Sequence, residues 1–105
     1  MIDQTKLYLR FRNGKFDGLA LDVNIQREGE DTLVCFFDTN RGRIFRGEVQ
    51  ETEGGFKVKG ADNEWEFVVA TRELFDTHAR RWGVGSLPTF KHDEDLHEWY
   101  RRQFL

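Results

Sequence analysis

The densest set of metal-ligand side chains in the chain is His92-Asp93-Glu94-Asp95-Leu96-His97. Imidazoles and carboxylates at this density can hold Zn2+ or Mn2+, and Asp93 and His97, four apart, share a helix face. His92 and His97, however, are five apart and turn to different sides of a helix. No HExxH spacing supplies a tetrahedral set. An acidic first turn that complements the helix dipole accounts for the same residues, so no metal is expected. A metal-dependent hydrolase using this run is the least favoured of three functional readings.

Nucleophiles are equally sparse. Ser86 is the only serine, and it lies in a Gly-rich loop without a G-x-S-x-G elbow. Cys35 sits in the most apolar segment of the chain, where burial raises a thiol's pKa and blocks access. Gly83-Val84-Gly85 lacks the third glycine and the preceding strand of a dinucleotide fingerprint. The expectation is a protein that is not an enzyme and carries no cofactor.

Two surfaces remain as binding candidates. The first is aromatic and basic: Trp99, Tyr100, Arg101 and Arg102 near the C-terminus, types that dominate protein–protein hot spots. A helix face bearing them can dock a protein partner or a second copy of the chain. The second is a basic stripe. Tyr8, Arg10, Arg12, Arg46, Lys57 and Lys59 read as outward-facing strand residues, which as neighbours would suit a nucleic-acid backbone with one stacked base. Asp22, Glu48 and Glu66 point to the same face and dilute it, and cross-strand ion pairing explains such a face more simply.

The elements that must position these residues change character at Thr71. Before it, apolar residues alternate and turn residues recur every eight to twelve positions. Leu7, Leu9 and Phe11 are expected inward on a first strand, with Tyr8, Arg10 and Arg12 outward. Asn13-Gly14 marks a hairpin, since both residues tolerate positive φ. The return strand is expected to carry Leu19, Leu21, Val23 and Ile25 inward, with a bulge near Asp17-Gly18. Thr32–Asp38 is apolar on both faces. Gly47, between Phe45 and Val49, suggests a bend or a close backbone approach. Strands around Phe56 and around Trp65, Phe67 and Val69 bring the count to six.

After Thr71 the period is helical. Thr71 is placed as an N-cap, and Leu74, Phe75, His78, Ala79 and Trp82 form one apolar stripe up to Gly83. Pairs at i, i+4 link Arg72, Asp76 and Arg80. A second helix starts at Asp93, with Leu96, Trp99, Tyr100 and Phe104 on one face, acids at its start, and Arg101 and Arg102 near its end. Glu98 and Arg102 pair at i, i+4.

The whole is thus an α+β domain over residues 1–105, strand-rich over 6–70 and helical over 71–105. A curled six-stranded antiparallel meander or small β-barrel is followed by two helices. The expected core is Leu7, Leu9, Phe11, Leu21, Val23, Phe37, Phe45, Phe67, Leu74 and Trp82. With 105 residues and 14% aromatics, the chain is long enough for one core and too aromatic for disorder. One Cys excludes an internal disulfide framework. No apolar run approaches the roughly 20 residues of a membrane span, and the first residues lack a signal peptide's apolar region. A cytoplasmic location is therefore expected. The net charge is −3, with 10 basic and 13 acidic residues through Ala70 and 6 of each beyond, which argues against a general polyanion binder. The leading expectation is a non-catalytic module acting through protein–protein contacts, a profile shared by accessory or inhibitor proteins of phages and mobile elements. A nucleic-acid-binding β-domain is second.

Overall fold

The computed structural model describes residues 2–21, 23–38, 42–78 and 91–104, apart from the side chains of Leu21 and Phe104. Contacts divide the chain into two compact units, Met1–Val69 and Ala70–Leu105. The boundary lies beside Thr71, where the apolar period changes. The first unit holds β1 (Leu7–Arg12), β2 (Lys15–Leu21), β3 (Asn24–Arg27), β4 (Leu33–Asp38), β5 (Ile44–Thr52), β6 (Gly55–Lys59) and β7 (Glu64–Val69). The second holds α1 (Arg72–His78) and α2 (Asp93–Phe104). The architecture is α+β.

The sheet has seven strands, not six, in the order β2-β1-β7-β6-β5-β4-β3, with every pair antiparallel. The extra strand arises because the expected return strand is two. Its first half pairs with β1 and its second half, β3, pairs with β4 at the opposite edge. Only two residues, Asp22 and Val23, separate them. Three Cα–Cα steps span about 11 Å at most, whereas six strand spacings in a flat sheet span about 29 Å. The sheet must therefore roll strongly. Cross-sheet contacts agree: the rings of Phe37 on β4 and Trp65 on β7 lie 4.9 Å apart, where a flat sheet would hold those strands about 14 Å apart.

Several turns follow the local chemistry. Asn13 and Gly14 take φ of 50° and 83° between β1 and β2, and the register shifts between Arg10 and Phe11, leaving Asp17 as the bulged residue. At Gly47 a Cβ would meet Val58 Cγ1 at 2.7 Å and the Lys59 carbonyl oxygen at 2.8 Å. The close approach suggested by that glycine is real.

The core of the rolled face is Tyr8, Val23, Cys35, Phe37, Phe56, Val58, Trp65 and Phe67. Phe56 stacks on Phe67 at 4.6 Å, and Phe37 meets Phe67 edge-on at 5.1 Å. Tyr8 is on this face, not outward, because β1 is buried on both sides: Leu7 and Leu9 are fully buried too. Of the other expected core residues, Val23, Phe37 and Phe67 are buried, and Phe11, Phe45 and Leu74 are half-buried. The Leu21 side chain and Trp82 lie outside the described residues.

In the second unit the Thr71 hydroxyl accepts from the Leu74 amide at 3.3 Å, and the Thr71 carbonyl accepts from the Phe75 amide at 2.8 Å. The N-cap is as expected. Phe75 and Leu96 are the buried apolar anchors of α1 and α2. The Asp93 carboxylate accepts the Arg72 amide at 3.1 Å, which ties the two helix starts together. The expected continuation of α1 to Gly83, with Ala79, Arg80 and Trp82, lies outside the described residues.

Candidate functional site: the open seam of the sheet

Arg10 is the one charged residue buried in the rolled sheet among those described, at 3% exposure. Alternation along β1 places it beside Tyr8 on the core face, opposite Gly18 on β2 and Phe67 on β7. Its Nη1 donates to the Asp38 carbonyl at 3.0 Å, and its Nη2 donates to the Asp17 carbonyl at 3.1 Å. The Asp17 carboxylate lies 3.4 Å from Nη2. The guanidinium also sits 5.5 Å from the Trp65 ring and 5.8 Å from the Phe37 ring, a cation–π arrangement. Burial pushes its pKa down, and the Asp17 carboxylate partly restores it. The bulge at Asp17 is what turns that residue's carbonyl and carboxylate toward Arg10.

The arrangement has a structural meaning. Among the described residues β2 has a strand partner on one side only, as has β3. Arg10 reaches from β1 to Asp17 on β2 and to Asp38 on β4. It supplies hydrogen bonds across a seam where no ladder runs.

Beside this clasp lies a cavity of about 370 Å³. Leu19 and Ala20 line it from β2, and Phe36 and Phe37 line it from β4. Sequence neighbours on a strand point to opposite faces, so the cavity opens at the edge of the sheet and not within one face. Among the described residues, β3 pairs with β4 only as far as Phe36. Asp38 and Ile44, paired across β4 and β5, form the rim. Ile44 is 74% exposed, the exposed large hydrophobic among the described residues.

The residues singled out from sequence fall elsewhere. The basic stripe does not form: Tyr8 and Arg10 are buried, which corrects their outward placement. Arg12 shares their face, with its guanidinium 5.7 Å from the Trp65 ring. Arg46, Lys57 and Lys59 lie on the opposite face, where strand register interleaves them with acids. Lys59 stands between Glu48 and Glu64, and Lys57 pairs with Glu66 and lies 3.6 Å from Glu64. Arg46 is ion-paired to Glu28.

On α2, Trp99, Tyr100 and Arg101 are half-buried, and Arg102 is exposed and pairs with Glu98 at 2.7 Å. Burial pushes the Tyr100 hydroxyl's pKa up. His92 is exposed, while His97 is buried and donates from Nε2 to the Ala70 carbonyl at 2.8 Å. Among the described residues no three His, Cys, Asp or Glu side chains gather as a metal set. Cys35 is fully buried, which pushes its thiol up to about 12.

Sequence reasoning missed Asp17, Asp38 and Ile44. Ile44 carries a readable signal: it is apolar and directly precedes inward Phe45, so it must face out. Comparison of the chain with known protein families, curated proteins and solved structures finds no match.

Proposed function

We propose that the protein is a non-catalytic binding module that recognises another protein through the open seam. The observation that carries this reading is Ile44, an exposed aliphatic side chain on the rim of a cavity that opens at a sheet edge. A lone exposed apolar residue is ordinary, but one beside a concavity and unpaired strand edges marks an interaction site.

The seam is favoured over the α2 surface, because Trp99, Tyr100 and Arg101 are already half-buried. It is favoured over the basic face because Glu48, Glu64 and Glu66 offset Lys57 and Lys59 there. The test is capture from lysates treated or untreated with nuclease, using wild-type protein, Ile44→Asp and Arg102→Ala. The reading expects capture that resists nuclease, is lost with Ile44→Asp and survives Arg102→Ala. Capture abolished by nuclease, or by Arg102→Ala alone, would refute it.

A further inference from the structure

We infer that the turn ahead of β1, residues 2–6, is a strap across one end of the rolled sheet, latched to edge strand β3 and able to open without the sheet unfolding. The latch follows from the β3–β4 ladder. The Glu28 amide donates to the Thr32 carbonyl at 2.8 Å, in register with the pairs Gln26–Val34 and Asn24–Phe36. Hydrogen-bonded pairs alternate in an antiparallel ladder, so Asn24 and Gln26 bond toward β4 while Ile25 and Arg27 turn their amides outward. The outward Ile25 amide donates to the Gln4 side-chain oxygen at 3.0 Å. Gln4 thus stands where a neighbouring strand's carbonyl would, at an edge otherwise open to an added strand.

The strap is built as a unit. The Asp3 carboxylate accepts from the Thr5 amide at 2.9 Å and from the Thr5 hydroxyl at 2.6 Å. The Asp3 carbonyl accepts from the Lys6 amide at 3.3 Å. The Tyr8 hydroxyl grips the same residue twice, accepting from the Asp3 amide at 3.2 Å and donating to its carbonyl at 2.7 Å. Beyond that grip, the Ile2 amide donates to Glu51 on β5 at 3.2 Å, and the Ile2 side chain packs against the core. Ile2 and Glu51 line two cavities, one of about 340 Å³ reaching Tyr8 and Val69, the other of about 650 Å³ reaching Ile25 and Leu33. The strap stands between them. Among the described residues, its ties to β3 and β5 are solvent-exposed hydrogen bonds, and β3 is four residues long with only Ile25 half-buried. Elements so exposed and sparsely packed open at free energies well below that of global unfolding. Opening lifts Ile2 from the core, joins the two cavities and bares the Ile25 amide as a ladder donor.

The test is native-state amide hydrogen exchange, followed by NMR on the full chain in water and in low urea, for wild type, Gln4→Ala and Tyr8→Phe. In wild type the Ile25 amide should be protected, yet exchange about tenfold or more faster than the Phe67 amide of interior strand β7, each relative to its unprotected rate. Urea should change the Ile25 rate little, because the opening exposes little surface. Gln4→Ala should bring Ile25 close to its unprotected rate. Tyr8→Phe keeps the ring and removes the hydroxyl that holds Asp3. It should still speed Ile25 about threefold or more, the scale of one net hydrogen bond. An Ile25 amide that exchanges together with Phe67 would overturn the inference, since the strap would then open only with the whole sheet. Ile25 unprotected in wild type, or equally protected in Gln4→Ala, would remove the latch. Tyr8→Phe that speeds Phe67 but leaves Ile25 unchanged would also overturn it, because the turn would not move as a unit.

Discussion

Arg10 has the most to lose from substitution. Replacing it with Met keeps the aliphatic stem and removes the donors that hold Asp17 and Asp38. Breaking a buried pair costs about 3–5 kcal/mol when the abandoned charge stays buried. The Asp17 side chain is 24% exposed and can rehydrate, so the lower end, about 3 kcal/mol, is expected from urea unfolding. A loss below about 1 kcal/mol would mean the clasp does not hold the seam. Cys35 makes a prediction of opposite character. Its native pKa is raised, to about 12, so the unfolded thiol ionises first. The stability from keeping it neutral is complete below about pH 8.5 and is lost as pH rises toward about 12. Burial raises the Tyr8 hydroxyl too, which adds the same sign of slope above about pH 10. Urea midpoints should fall between pH 8 and pH 10.5, and fall less in Cys35→Ala. At pH 8 a thiol reagent should modify Cys35 only as fast as the chain opens.

Among the elements, β5 and β6 leave no room for a Cβ where Gly47 faces Val58. Gly47→Ala places a methyl against backbone as well as side chain, so an overpacking cost of about 1–3 kcal/mol is expected. An unchanged urea midpoint would show that the strands can separate there. The Asn13-Gly14 hairpin, the Thr71 cap and the start of α2 at Asp93 were legible in the sequence because each depends on residues within a few positions. The faces of β1 were not. Leu7, Leu9 and Phe11 against Tyr8, Arg10 and Arg12 looks like one wet face, yet both sides of Leu7–Arg10 are buried. Arg10 is tolerated inside only because Asp17 and Asp38, 7 and 28 residues away, meet it. The split between β2 and β3 was hidden for a related reason. Leu19, Leu21, Val23 and Ile25 keep one alternation throughout, while the chain changes both its partner strand and its face. Leu19 is opposite Leu9, away from the core, but Val23 belongs to the core and Ile25 packs against it.

For the whole molecule, a chain of 105 residues places a rolled antiparallel sheet in one unit and two helices tied at their starts in the other. No helix among the described residues is long and apolar enough to cross a membrane. Function in this account belongs to the first unit, at an edge that the sheet leaves open. The α2 surface is its direct competitor, since Trp99, Tyr100 and Arg102 are residue types suited to an interface. The two can be separated inside living cells by placing a photo-crosslinking amino acid at position 44 in one variant and at position 102 in another. The account predicts a discrete protein adduct from position 44 and none from position 102. An adduct from position 102 with none from position 44 would contradict it and move recognition to α2.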